Sequence, residues 1–517
     1  MFKPLRITAL AFCMLYGLAS CDGVATDSVP AGAGAGRSTA PTPSPGAGTA
    51  FPPPAPDAGG PQPAPSPGGP TGLPQHVQAA FAALAAAMFE CPDRAWPGIA
   101  EAYRKNQVLF VSESTGKAYL LNDLSAGPQS PPRISVLDAS GLSPAWLQFY
   151  NYETFHGHPT LGVAIDRLER MDDDARERGR PRASWPDQLV LLTLHEGFHF
   201  IAQASWPMAA LGSRSTPYPQ ETAPRYLRNA LLNALAQALR TQSTDFAAAA
   251  FWQARLKAEH PAMLMEAAAF DVAEGTAQYA EIVMAALAVG GCQQSDAALL
   301  TLIQNNVGGF LMLDTFDPGS EFYQIGSLAG LLLRRGGQIG WELAVQNQQM
   351  PPAEVLLAAA SPAPQADDPA RLMAAASYVN DSNALLAAAI DPVLDALKSP
   401  ASYRLALSQA WIAGAFELQR FITLSREPGK PEAMIGVSGL LTHPGSGTQI
   451  RLNGATVPVG WPTPCSPAPA AYFVATVPKS ALTTSGGKHS SADAKISFTD
   501  LPASVTADAQ GLEWLCP

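Results

Sequence analysis

Leu194-His195-Glu196-Gly197-Phe198-His199-Phe200 is the stretch on which the reading of this chain turns. An apolar run, Leu189-Val190-Leu191-Leu192-Thr193-Leu194, leads into it, and Phe200-Ile201-Ala202 leads out. That composition predicts a buried helix. On a helix, positions i and i+4 lie one turn apart on the same face. His195 and His199 therefore point the same way, and their imidazoles can converge on one metal ion. Glu196 sits beside that face. Zinc acidifies a water that it binds towards a pKa of about 7, and a carboxylate placed there can take the proton as the water attacks a carbonyl. The chain holds eight histidines, so this H-E-x-x-H spacing is a specific signal. The competing reading is a buried helix with two hydrogen-bonded histidines.

A zinc centre needs a third protein ligand. Glu274 is the leading candidate, in Ala273-Glu274-Gly275-Thr276-Ala277-Gln278-Tyr279 on a strongly helical segment. Gly275 has no side chain and would let that helix approach the metal helix closely. Four rivals stay open. Glu221 lies nearer in sequence, but it precedes a helix among prolines and also reads as an N-terminal helix charge. Glu281 shares a face with Glu274. Glu266 and His260 are further options.

The H-E-x-x-H motif followed by E-G-x-A-x-Y resembles the gluzincin class of metallopeptidases. The resemblance covers two helices, roughly 188–204 and 262–289. It implies a mostly helical α+β, zincin-like fold: a small N-terminal sheet, a metal-binding helix, then a helical lobe that supplies the glutamate. It implies His195, His199 and Glu274 as ligands of Zn2+, Glu196 as general base, and a peptide or protein as substrate. There are departures. The interval from His199 to Glu274 is much longer than in thermolysin. Four residues past the ligand glutamate, thermolysin has an Asp that supports a zinc-bound histidine; here that position is Gln278. Asp271, one turn earlier, can take the supporting role.

Two further groups bear on catalysis. Tyr323, in Phe322-Tyr323-Gln324-Ile325-Gly326, is a candidate donor to a developing oxyanion. The bland reading is a packed aromatic with a satisfied hydroxyl. His156 and His158 read as a surface turn. They stand before a candidate edge strand, 160–165, which could align a peptide by strand addition.

The pattern around the motif gives the organisation. Residues 77–89 read as a helix. Val108-Leu109-Phe110-Val111, Ala118-Tyr119-Leu120-Leu121, Ile134-Ser135-Val136-Leu137, Phe149-Tyr150-Asn151-Tyr152 and 160–165 read as strands of a small sheet. From about 185 to 421 nearly everything reads as helix, with Ala/Leu-rich windows at 188–204, 224–240, 246–258, 262–289, 321–335 and 383–397. Residues 76–427 are therefore expected to form the catalytic domain. From 428 to 517 the punctuation changes to Gly, Ser, Thr and Pro, and a small β domain is expected.

The N-terminus reads as a targeting segment. Lys3 and Arg6 precede an apolar run that is too short for the roughly 18–20 residues of a membrane span, so 1–20 is expected to be a signal peptide. Leu18-Ala19-Ser20-Cys21 resembles the lipobox of bacterial lipoproteins. That resemblance implies cleavage before Cys21, a lipid on its sulfur, and a place in the cell envelope. Residues 21–75 are rich in Pro, Gly and Ala and read as a disordered tether. Of six cysteines, four remain in the body, and the expected pairs are Cys465 with Cys516 and Cys91 with Cys292.

Other chemistries are excluded or unsupported. A net charge of −11 with no basic run argues against nucleic acid. No nucleophile elbow, P-loop or dinucleotide fingerprint occurs. Asp172-Asp173-Asp174 lacks calcium-loop spacing. The sequence leaves three alternatives to a peptidase: a catalytically inactive zincin-like binding lipoprotein, a metallohydrolase acting on a non-peptide bond, and a structural envelope protein with an accidental motif.

Overall fold

A computed structural model of the chain describes residues 72–147, 149–170, 185–207, 216–306, 315–408, 422–425, 433–443, 445–459, 463–465 and 472–517. The expectations for the leader, Cys21, the tether to residue 71 and the Asp172-Asp173-Asp174 cluster lie outside these residues. The fold is mixed α+β. Among the described residues no helix is long and apolar enough to cross a membrane.

The N-terminal sheet has the strand order β3-β2-β1-β5-β4, with β1 Gln107–Ser112, β2 Lys117–Leu121, β3 Ile134–Asp138, β4 Tyr150–Phe155 and β5 His158–Ala164. Only β1 and β5 run parallel; the other neighbours are antiparallel. Strand β1 is buried along its whole length because the sheet is covered on both faces. Val108 and Phe110 face the helical core, and Leu109 and Val111 face a smaller cluster with Trp146 and Phe155. Alternate side chains of a strand point to opposite faces, so a two-sided core requires this unbroken apolar run. One expectation fails here. The segment 160–165 is not an edge, because β5 lies between β1 and β4. The outer strand on that side is β4.

The helices are α1 Gln75–Leu84, α2 Ala100–Arg104, α3 Trp185–Gly197, α4 Thr222–Arg240, α5 Ala247–Glu259, α6 Pro261–Gly290, α7 Asp296–Asn306, α8 Pro318–Arg335, α9 Trp341–Gln348, α10 Pro352–Leu357 and α11 Pro369–Lys398. Their apolar faces and the sheet share one core, in which Phe81 of α1 stacks on Phe110 of β1 at 5.0 Å. Helix α3 packs on the sheet at Gly197, where an added Cβ would meet Leu161 of β5 as well as Met88 and Tyr103. Helix α6 is buried along most of its length from Leu264 to Leu287 and runs through the centre of the bundle.

The β-rich part begins at β7 Ser402–Ser408, before the expected boundary at 428. It holds a seven-stranded and a four-stranded sheet that enclose a second core with Leu405, Val437, Ile450, Phe473 and Phe498. Helix α11 packs on it through Leu386, Ile390 and Leu397. The strand β6 Thr216–Pro217, from between α3 and α4, pairs with it in parallel. Both expected disulfides are present, Cys91–Cys292 and Cys465–Cys516.

Candidate metal centre

His195 lies in the last turn of α3, and His199 lies in the π-helical turn Phe198–Ala202 that continues it. Such turns inside helices are frequent at functional sites. Glu274 comes from the buried middle of α6, which crosses α3 at this level. His195 Nε2 is 3.1 Å from His199 Nε2, and Glu274 Oε2 is 3.4 Å and 3.2 Å from those two nitrogens. All three residues are buried. Two donors each about 2.1 Å from a tetrahedral ion stand about 3.4 Å apart. The three observed separations match that spacing, and the chemistry of two imidazoles and a carboxylate suits a borderline cation. Among the described residues this is the one group of three or more His, Cys, Asp or Glu side chains that could hold a metal ion.

The carboxylates around His195 favour positive charge on it. Burial acts to lower the His195 pKa. Hydrogen bonds to Glu274 and Glu281, with the charges of Glu281 and Glu196 added, outweigh it and push the group up to about 10. Glu196 is buried beside the triad. Tyr323, on α8, is also buried, and its ring lies 5.6 Å from the His195 ring.

The rival ligands lie elsewhere. Glu281 Oε2 is 3.0 Å from His195 Nδ1, the nitrogen that faces away from the triad. Glu221 precedes α4 with an exposed side chain, 4.0 Å from His260 at the start of α6. Glu266 is half-buried on α6, outside the triad. Asp271 does not support a histidine. Its carboxylate receives both terminal nitrogens of the fully buried Arg228, at 2.9 Å and 2.6 Å, and Arg228 Nε reaches Glu321 at 3.1 Å. His156 sits exposed in the left-handed turn between β4 and β5.

Gly275 also plays a different part from the expected one. Its close neighbour is Gly326 of α8, not α3. The residues missed by the sequence reading are Gln203, Thr276 and Arg228. Gln203 was findable, because it lies four residues past His199 on the same helical face and its Oε1 is 2.7 Å from His199 Nδ1. Phe200, next to His199, stacks on Tyr152 of β4 at 5.0 Å, so the sheet's outer strand lies against the turn that carries a candidate ligand. No protein-family model, curated protein or solved structure matches this chain.

Proposed function

We propose that the chain is a zinc-dependent peptidase of zincin-like fold, with Glu196 as general base. The observation that carries this reading is the convergence of His195 Nε2, His199 Nε2 and Glu274 Oε2 at tetrahedral spacing, with Glu196 adjacent. Zinc, if held by these three residues, would supply a Lewis acid able to polarise a carbonyl and acidify water. Glu196 takes the proton of the attacking water and returns it to the departing amine. The Tyr323 hydroxyl donates a hydrogen bond to the carbonyl oxygen as negative charge develops on it. A site built only to store or sense a metal has no use for Glu196, which favours hydrolysis over binding alone.

A peptide suits the surroundings. Among the described residues β4 is the outer strand of its sheet, and its Tyr152 stacks on Phe200 next to His199, so an extended chain adding to that strand would lie near the turn that carries a candidate ligand. The two disulfides agree with an oxidising compartment. Together with the charged, apolar and Leu18-Ala19-Ser20-Cys21 segments, they support export and lipid anchoring through Cys21.

Zinc analysis with three variants tests the reading. The wild-type chain is expected to hold stoichiometric zinc, and His195→Ala and Glu274→Ala to lose it. Glu196→Gln is expected to keep the metal and to lose roughly 10²–10⁴-fold in peptide hydrolysis. Unchanged zinc in His195→Ala sinks the site, and cleavage that survives Glu196→Gln sinks the mechanism.

A further inference from the structure

We propose that Glu281 and Gln203 are positioning residues, and that through them helix α6 fixes the tautomer of both histidines while also supplying the third ligand. The inference rests on the metal-centre reading above and concerns how that centre is held.

The tautomers follow from a chain of hydrogen bonds. An ionised carboxylate only accepts. Glu281 Oε2, 3.0 Å from His195 Nδ1, therefore requires the proton on Nδ1 and leaves the Nε2 lone pair facing the triad. For His199 the partner is an amide, which has a donor end and an acceptor end. Thr276 Oγ1 donates its single proton to Val272 O at 2.6 Å, so towards Gln203 it accepts. Ala273 O can only accept. Gln203 Nε2 donates to both, each at 2.8 Å. Its amide nitrogen is thereby committed to α6, and Oε1 must be the atom facing His199 Nδ1 at 2.7 Å. His199 then carries its proton on Nδ1 and presents Nε2 as donor.

Gln203 lies in the turn Gln203–Ser205 that follows the π turn of α3, but every group that fixes the two tautomers from the far side lies on one helix. Glu281 lies two turns after Glu274 on the same face of α6, and Ala273 and Thr276 flank Glu274. Helix α3 and its π turn contribute the imidazoles. Helix α6 contributes one ligand, the carboxylate that orients His195, and the two groups that hold Gln203 in place against His199. Outer partners of this kind set ring orientation and ligand basicity, and their loss typically weakens metal binding by about 10–100-fold.

Chelator competition for Zn2+ on the full chain tests the proposal, with the visible spectrum of the Co2+ form as a report on ligand geometry. Glu281→Leu and Gln203→Leu remove the acceptors and are expected to weaken zinc by about 10–100-fold. Glu281→Gln keeps an acceptor at the same place and is expected to stay within a few-fold of wild type. Thr276→Val touches neither histidine and serves if a leucine variant fails to fold; several-fold weakening is expected, because Gln203 Nε2 then keeps Ala273 O as an anchor and loses the Thr276 hydroxyl. Wild-type affinity in both leucine variants overturns the proposal, as does equal weakening in Glu281→Gln and Glu281→Leu. Absence of zinc from the wild-type chain sinks the metal-centre reading itself, so the two failures are distinguishable.

Discussion

Gly275 and Gly326 meet backbone to backbone: a Cβ built on either glycine would lie 2.5 Å from the Cα of the other. A Cβ on Gly326 would also stand 2.6 Å from Asp271 O. The obstructing atoms are main chain, so no side chain can swing aside. This contact sets the spacing between α6, with Glu274, and α8, with Tyr323. Gly275→Ala and Gly326→Ala are expected to destabilise the helical body by about 1–3 kcal/mol or more, through overpacking. The better helix propensity of alanine offsets roughly 1 kcal/mol at most. Melting curves of the two variants that overlay wild type would show that the helices do not touch here.

The Arg228–Asp271–Glu321 network fixes the same helices at the next level. Arg228 is fully buried with two carboxylates, and Arg225 adds a second guanidinium to Glu321 at 2.8 Å. Desolvation raises the Asp271 pKa, and the charge of Arg228 pulls against it. Removing one partner leaves a buried charge without compensation, which costs about 3–5 kcal/mol. Arg228→Ala is therefore expected to lose that much stability, and Asp271→Asn a smaller part, since the amide keeps an acceptor. Urea unfolding measures both. Equal and negligible effects would mean that water solvates the cluster.

The parts of this structure legible in the sequence are those set by local spacing. Two histidines four apart, flanked by leucines, define their own helix and their own shared face. The short apolar run from Val108 to Val111 likewise defines a strand. What failed was non-local. Gly275 signalled a close approach, but nothing near it says that the neighbour is Gly326, fifty-one residues on. Asp271 reads as a candidate support for a histidine because its partner, Arg228, lies forty-three residues earlier. The place of β5 inside the sheet depends on parallel pairing to β1, which no local pattern encodes. The first half of α11 falls in the stretch 185–421 that reads as helix, but outside its Ala/Leu-rich windows, for another reason. Its Ser, Asn and Asp residues dilute the apolar period, although Asp368 caps the helix by accepting from Ala370 N and Arg371 N, ahead of Pro369.

His195 gives a pH prediction. Its pKa in the folded, metal-free chain is pushed up to about 10, above the ordinary value of 6.5. A raised pKa contributes stability that is fully present below about pH 6.5 and is lost as the pH climbs through 10. The metal-free chain is thus expected to lose stability across that window. A cation must displace the same proton, so zinc binding near pH 8 is expected to release it. Calorimetry in buffers of different ionisation enthalpy reads that release directly. Binding heats that do not depend on the buffer would show His195 to be neutral before the metal arrives.

Tyr323 separates catalysis from packing. Its ring lies 5.6 Å from the His195 ring at an interplanar angle of 38°, on a helix whose distance from Glu274 is set by the glycine pair. Phenylalanine keeps the ring and its packing and removes only the hydroxyl. If that hydroxyl meets the developing oxyanion, Tyr323→Phe loses about 10²–10³-fold in kcat, as when other oxyanion donors are removed. The expected signature is a fall in kcat with KM and zinc content unchanged, because the hydrogen bond strengthens only in the transition state. Glu196→Gln gives a similar fall for a different reason, so the double variant adds information. Two groups acting on one step are not additive, and the double loss is expected to fall well short of the product of the single losses. A Tyr323→Phe chain that hydrolyses peptide at the wild-type rate would return Tyr323 to the helical core as an ordinary packed aromatic.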